Sequence, residues 1–274
     1  MKNNRYENIT LALHTGNYRS EKEKEVFEYM SNNIDELEKE YYEKYGDILS
    51  QDFAKYLFND LGYDQLRPEG LSDYSRASWS FVNYLYEKQL IDKKGEGNNA
   101  VLITGGGTGA GKTTTALRVM EEYDYTIIND TNVFYLDRSK LQIERAIENG
   151  YQPQIIFIYR DPIDAYMNGV LKRIRKGGHL VTIENHVKIA YHVKESINVL
   201  AKEYSSGLDI FIFDNEGDIE SRKEVLRISI KELNTKQYYI GELENILKYE
   251  TKKLYEDGKI TEEIYNGANF KATG

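Results

Sequence analysis

The chain has 274 residues, a formal net charge of −9 and no cysteine. The missing cysteines exclude a disulfide framework and a thiolate metal site, and the acidic balance argues against a protein that binds nucleic acid. We find no signal peptide and no apolar run of membrane-spanning length, so we expect a cytoplasmic protein with no membrane partner.

Residues 1–95 predict a charged, helical N-terminal domain. Three segments carry apolar residues at helical spacing, and Ser20 precedes the first of them as a candidate N-cap. The polar, glycine-containing residues 93–99 predict a linker, and we place the end of the domain there.

Residues 96–218 predict an α/β core. Four short apolar runs, AVLIT, YTIIN, IIFIY and DIFIF, alternate with helical patterns. Nearly continuous apolar runs suit strands covered on both faces, and their alternation with helices predicts a parallel sheet. Residues 219–274 predict a C-terminal helical segment, so the expected fold is a P-loop kinase core between two helical parts.

The clearest motif follows the first apolar run and precedes a helical segment. It fits the G-x-x-x-x-G-K-[ST] pattern, whose glycines let backbone N–H groups converge on phosphates. We expect ATP or GTP here, with Lys112 on the β and γ phosphates and the Thr113 hydroxyl as a Mg²⁺ ligand. The predicted nucleotide site consists of Gly106, Gly107, Thr108, Gly109, Ala110, Gly111, Lys112, Thr113 and Thr114.

The second apolar run ends in Asp130, Thr131 and Asn132. Ligands collect at the carboxyl ends of the strands in an open parallel sheet, so we expect these residues beside the phosphates. A carboxylate there takes the proton of an attacking hydroxyl, or holds Mg²⁺ through water. The structural alternative is an Asx-type turn that merely closes the strand.

The stretch IIFIYRDPIDAYMNGVLKRIRKGG, the helix after it and the closing Asp214-Asn215 resemble the zeta-toxin family of P-loop kinases. The likeness covers roughly residues 98–218. The resemblance implies phosphoryl transfer from ATP or GTP to a hydroxyl of a nucleotide sugar, typically UDP-N-acetylglucosamine. It also implies an antitoxin that restrains the kinase.

Carried over by position, the resemblance gives Lys112, Asp130 and Arg173 catalytic roles. It implies that Asp130, Thr131 and Asn132 bind the sugar nucleotide, although Asn132 stands where relatives have threonine. Arg173 matches the first of two arginines that contact the phosphates.

The second of these arginines is missing, because a histidine, His179, stands near its position. Histidine is mostly neutral at cytoplasmic pH, so Arg175 or Lys176 would have to reach across. Gly177 and Gly178 would act as the hinge of a lid that carries Arg173.

The order of the strands departs from the family pattern. Relatives have a strand with the catalytic aspartate after the P-loop helix, and a further strand-helix unit before the sugar-binding acid. Here one predicted strand lies in that interval. Asp130 resembles the base by its spacing from Lys112, and the sugar-binding acid by its spacing to Gly150, which leaves the acceptor open.

Other interpretations remain beside this one. In the first alternative, the chain is a P-loop kinase for another hydroxyl acceptor, such as a small metabolite or a nucleic-acid end. In the second, it is a regulatory nucleotide-binding module with little catalysis. For residues 1–95 there are also two interpretations, an internal antitoxin and a structural extension packed on the sheet. His186 and His192 do not align on their helix, so we interpret neither as a metal ligand.

Overall fold

A computed structural model describes residues 17–67, 71–123, 125–204, 207–215 and 238–271. The predicted end of the core at residue 218 and the first part of the predicted C-terminal segment lie outside these ranges. The domain limits at residues 95 and 218 stay predictions.

Five parallel strands form one sheet in the order β1-β3-β2-β4-β5. Four of them are the strands that the apolar runs predict, which confirms the α/β fold class. The strands are β1 (Ile48–Ser50), β2 (Ala100–Gly106), β3 (Ile127–Asp130), β4 (Gln152–Tyr159) and β5 (Asp209–Asp214).

Strand β1 was not expected, because it lies within the segment that reads as helical. It pairs with β3 in parallel, and Ser50 lies opposite Asp130 in the register. A strand of three residues with two aliphatic side chains carries no readable periodicity. The segment before the predicted linker thus supplies the edge of the sheet.

Helices surround the sheet. Ser20 caps the first of them as predicted, since its side chain accepts a hydrogen bond of 2.9 Å from the Glu23 N–H. Before the sheet's central strands come α1 (Glu21–Asn32), α2 (Ile34–Tyr45), α3 (Gln51–Lys55), a 3₁₀ helix (Tyr56–Leu61) and α4 (Leu71–Asp92). The later helices are α5 (Lys112–Glu122), α6 (Leu136–Glu148), α7 (Pro162–Asp164), α8 (Leu171–Ile174), α9 (Ile183–Glu203), α10 (Ile240–Glu256) and α11 (Glu262–Ala268).

The main hydrophobic core joins the two sides of the predicted linker. Phe81 and Leu85 of α4 and Val101 and Ile103 of β2 are completely buried in one cluster. Burying such side chains is worth roughly 1.5–3 kcal/mol each. The described part of residues 1–95 therefore shares its core with the sheet.

The stretch that reads as one long helix after β4 has three parts. A π-helical turn (Ala165–Val170) lies between α7 and α8. The apolar stripe still faces inward, and Tyr166, Val170 and Leu171 pack with Leu247 of α10 in a second cluster. We call residues 162–179, from α7 to the loop after α8, the lid.

A buried tyrosine holds the outer edge of β1. The Tyr41 hydroxyl donates a hydrogen bond of 2.8 Å to the Ile48 carbonyl and accepts one of 2.7 Å from the Ser50 N–H. These main-chain groups face away from β3 and would otherwise be unsatisfied at a sheet edge. Tyr41 therefore fixes the strand that leads into α3.

We expect Tyr41→Phe to lower the free energy of unfolding by about 1–3 kcal/mol, because it leaves the Ser50 N–H without a partner. The matched control is Tyr45→Phe, whose half-buried ring stacks on Phe53 at 4.8 Å and which should stay within about 0.5 kcal/mol of the wild type. Urea unfolding measures both. Equal stabilities of the two variants would contradict this role of Tyr41.

Candidate active site

The P-loop connects β2 to α5, as the motif predicts. Gly106 ends β2 with a φ of 135°, and a Cβ atom there would lie 2.3 Å from the Ile158 carbonyl oxygen. Only glycine fits that approach. Helix α5 begins at Lys112, so its N-terminus faces the loop.

The Lys112 ammonium turns back onto its own loop. Its Nζ donates hydrogen bonds to the carbonyls of Gly106 at 3.2 Å and Gly107 at 2.9 Å. Burial lowers the pKa of Lys112, although the charges of Asp130 and Asp52 oppose the shift. A buried cation of this kind gains from an incoming phosphate.

Asp130 is tied to the P-loop. Its carboxylate accepts one hydrogen bond of 2.7 Å from the Thr113 hydroxyl and another of 2.7 Å from Thr104. A hydroxyl and a carboxylate are the oxygen ligands that Mg²⁺ takes beside nucleotide phosphates. The donor set of Thr113 and Asp130 therefore fits Mg²⁺.

A cavity of about 560 Å³ opens beside the P-loop and collects most of the predicted site. Ala110 is buried elsewhere, where its carbonyl accepts a hydrogen bond of 2.5 Å from the Asn215 side chain. Predicted residues that line the cavity are Thr108, Gly109, Gly111, Lys112, Thr113, Thr114, Asp130, Thr131, Asn132 and Arg173. Gly106 and Gly107 shape the loop outside its lining.

Asn132 also closes a turn, as the structural alternative predicts. Its side-chain oxygen accepts a hydrogen bond of 3.0 Å from the Phe134 N–H. The Thr131 N–H donates to the Thr104 hydroxyl at 3.0 Å. Both residues thus serve the local fold and still face the cavity.

A carboxylate that the sequence reading missed comes from the segment before the linker. Asp52 lies in α3, directly after β1, and lines the same cavity. The carboxyl ends of parallel neighbours lie at one edge of a sheet, so the pairing of β1 with β3 brings Asp52 to the edge that holds Asp130. Its side chain keeps 45 % of its surface accessible through the cavity.

Basic side chains surround Asp52. Its Oδ1 lies 2.9 Å from the Lys55 Nζ, and its Oδ2 lies 3.3 Å from the His179 Nε2. Burial raises the pKa of the Asp52 carboxyl, but the positive charges of protonated His179, of Lys55 and of Arg173 outweigh it and hold the pKa below its usual range. Asp52 is therefore ionised at neutral pH.

Arg173 and His179 meet in the lid, where the resemblance expects two arginines. The Arg173 Nη2 lies 3.1 Å from the His179 Nε2. Burial and the neighbouring positive charges lower the pKa of His179 to about 4, against the opposing effect of Asp52. His179 is thus uncharged at neutral pH. Lys172 and Lys176 also line the cavity, whereas Arg175 is exposed outside its lining.

The lid lies directly on the P-loop. A Cβ atom on Gly109 would lie 2.2 Å from the Ala165 carbonyl oxygen, and one on Gly169 would lie 2.3 Å from the Gly109 oxygen. Arg160 adds a hydrogen bond of 3.2 Å to the Gly109 carbonyl. The π-helical turn thus packs against the backbone of the P-loop, and such turns are frequent at functional sites.

The remaining candidates brace the site. Buried His186 links the Thr108 hydroxyl, 2.5 Å from its Nδ1, to the Pro162 carbonyl, 2.8 Å from its Nε2. His192 is exposed and pairs with Glu195. Arg160 pairs with Asp164, and Asp161 caps α7 by accepting from the Ile163 N–H at 2.9 Å.

A family model matches part of the chain. The matched family is Zeta toxin, over residues 120–224. The matched segment is less than half of the chain and begins after the P-loop. The P-loop motif and the family match are therefore separate observations. Comparison with curated proteins gives no match. The family match supports a P-loop kinase-like phosphotransferase that binds nucleotide.

Among the described residues, no helix combines the length and the apolar character that a membrane span requires.

We expect ATP or GTP with Mg²⁺ to raise the thermal midpoint, since a ligand at 100 times its Kd adds about 2.7 kcal/mol of stability. Lys112→Ala should lose most of this shift, because the phosphates lose their buried cation. The control is Lys252→Ala, an exposed residue of α10, which should keep the full shift. A full shift in Lys112→Ala would mean that the nucleotide binds elsewhere. Differential scanning fluorimetry measures all three.

Proposed function

We propose that the protein transfers the γ-phosphoryl group of ATP or GTP to a hydroxyl of a nucleotide sugar such as UDP-N-acetylglucosamine. One observation carries the proposal. Asp130 ends strand β3, and Asp52 comes two residues after the neighbouring parallel strand β1. Both carboxylates line one cavity with Lys112 and Arg173. A kinase needs this combination of a phosphate-binding cation, a metal-side carboxylate and an acceptor-side carboxylate.

The carboxylates have different surroundings and, we propose, different roles. Asp130 is held by the Thr113 hydroxyl and is only 9 % exposed, which favours the metal side of the phosphates. Asp52 faces the open cavity and favours the acceptor hydroxyl. The sequence spacing gave both roles to Asp130; strand β1 supplies the second carboxylate from ahead of the P-loop.

In this mechanism the incoming phosphates replace the loop carbonyls as partners of Lys112. Arg173 approaches them from the lid and neutralises charge that develops during transfer. Asp52 orients the acceptor hydroxyl and takes its proton. Mg²⁺, bound near Thr113 and Asp130, would supply further positive charge to the β and γ phosphates.

A second cavity favours an acceptor that carries an aromatic base. Its volume is about 620 Å³, and Tyr159, Tyr191 and Lys194 contribute to its lining. Thr108 and Arg160 line both cavities, so the two spaces adjoin at the P-loop. Tyrosine rings and a lysine suit a nucleotide better than a small metabolite. We therefore place nucleotide sugars ahead of other hydroxyl acceptors, and catalysis ahead of a regulatory module.

The N-terminal segment favours an antitoxin in trans. An internal antitoxin would block the site, whereas residues 48–52 contribute a strand and a carboxylate to it. We propose that residues 1–95 complete the kinase and that inhibition comes from another protein.

We expect Asp52→Asn to lower kcat by roughly 10²-fold or more, because the acceptor loses its base. The Mg²⁺ concentration for half-maximal rate should not change. Asp130→Asn should instead raise that Mg²⁺ requirement. Asp47→Asn, at an exposed residue of the same segment, is the control and should keep full activity.

The assay uses labelled ATP and GTP with a panel of nucleotide sugars, small alcohols and nucleic-acid ends. Transfer to nucleotide sugars supports the proposal. Transfer to none of them by the wild type overturns it, and an Asp52→Asn variant within a few-fold of the wild type removes Asp52 from the mechanism.

We also expect that the full-length chain arrests growth of a bacterial host and that a chain starting at Gly95 does not, because it lacks β1, Asp52 and the helices that complete the main core. Full-length Asp52→Asn is the folded control and should be equally harmless. Growth curves after induction measure the effect. Stronger arrest by the shortened chain would instead support an internal antitoxin.

A further inference from the structure

The loop that carries His179 is fixed to the segment that carries Asp52. The Leu180 N–H donates a hydrogen bond of 2.7 Å to the Gln65 carbonyl, and the Gln65 side chain donates one of 3.0 Å to the Gly177 carbonyl. These contacts lie on both sides of His179 in the chain. The distance between His179 and Asp52 is therefore set by the fold and not by a mobile side chain alone.

The His179 Nε2 has two neighbours of opposite kind. The Arg173 guanidinium, 3.1 Å away, donates to Nε2 when the nitrogen is bare. The Asp52 Oδ2, 3.3 Å away, accepts from Nε2 when the nitrogen carries a proton. A proton that arrives at Asp52 thus finds a second acceptor within contact distance.

Asp52 by itself is a weak proton acceptor. Lys55, Arg173 and Lys112 all lie near it and favour its ionised form. Tyr56 and Tyr63 also face this carboxylate, and burial raises the pKa of both phenols. Both hydroxyls therefore keep their own protons and cannot accept another. The uncharged imidazole of His179, in contrast, has a basic nitrogen that can take up the proton in exchange for the hydrogen bond from Arg173.

We propose that Asp52 and His179 act as a pair that receives the proton of the acceptor hydroxyl. This inference rests on the proposed function. The acceptor oxygen forms a bond to the γ-phosphorus, and the bond from that phosphorus to the leaving nucleotide breaks, with its electron pair leaving on the nucleoside diphosphate. The hydroxyl proton passes to Asp52 and then to the His179 Nε2. It returns to solvent when the products leave.

The ligands themselves prepare His179 for this role. In the free protein burial is the largest cause of the low pKa of His179, and the positive charges of Arg173, Lys55 and Lys112 lower it further. Bound phosphates bring several negative charges into the same cavity and neutralise these cations. Because these charges offset the cations but not the burial, we expect the pKa of His179 to rise from about 4 by about one to three units, as is typical beside an opposite charge.

The sign of the pH dependence follows. Turnover needs the unprotonated imidazole, so kcat should fall as the pH drops through the raised pKa of His179. The chain contains four histidines, which makes the ring-proton signals in an NMR titration assignable with single variants. In the free protein we expect His179 to titrate below about pH 5, and with Mg²⁺ and a non-hydrolysable ATP analogue at least about one unit higher.

His179→Gln and His179→Arg separate this role from a structural one. Glutamine keeps a polar group without a titratable nitrogen, so kcat should fall by roughly 10²-fold, with the KM for ATP within a few-fold and the acid limb of the pH profile lost. Arginine restores a phosphate-binding cation but accepts no proton, so kcat should stay low. His192→Gln, at the exposed histidine, is the control.

Several results overturn the pair. A His179→Arg variant as active as the wild type would make His179 a weakened phosphate contact. An acid limb that persists in His179→Gln would belong to another group, and a His179 signal that ignores the nucleotide would remove the coupling. Thermal midpoints check that both variants are folded. A wild type that phosphorylates nothing in the panel would overturn the proposed function and the pair together, whereas an active wild type with an unaffected His179→Gln overturns the pair alone.

Discussion

Ser50 of β1 lies opposite Asp130 of β3 in the parallel ladder, and this pairing decides which side chains meet at the phosphate-binding edge. Parallel strands end together, so whatever follows β1 in the chain lies beside whatever follows β3. Asp52, which follows β1, thus becomes a second carboxylate beside Asp130. Tyr41 supports the arrangement from the outside, because it satisfies the main-chain groups of the outer edge.

The charges of the cavity form a set that suits anionic ligands. Lys112, Arg173 and Lys55 are cations in or near the cavity, and Asp52 and Asp130 are the carboxylates beside them. The Lys112 ammonium donates hydrogen bonds to loop carbonyls, which are weaker acceptors than phosphate oxygens. The absence of a charge on His179 at neutral pH keeps this excess of positive charge moderate until phosphates arrive.

The central strands and the P-loop were predictable because their signals are local. An apolar run, a glycine pattern and the helix that follows lie within a few residues of one another. Strand β1 was not predictable, since two aliphatic residues become a strand only through a partner far along the chain. Asp52 was missed for the same reason. The π-helical turn could not be predicted from the sequence, because the apolar stripe of the lid fits an ordinary α-helix equally well.

The place of β1 ahead of its partner in the chain has a consequence for synthesis. The register joins Ile48 to Ile128, and ribosomes add about 5–20 residues each second. The edge strand therefore leaves the ribosome about 4–16 s before the strand that it pairs with. During that interval α1 to α4 are exposed without the sheet that they cover, and the cavity lacks one wall. Translation thus delivers Asp52 well before the strand whose pairing with β1 places it beside Asp130.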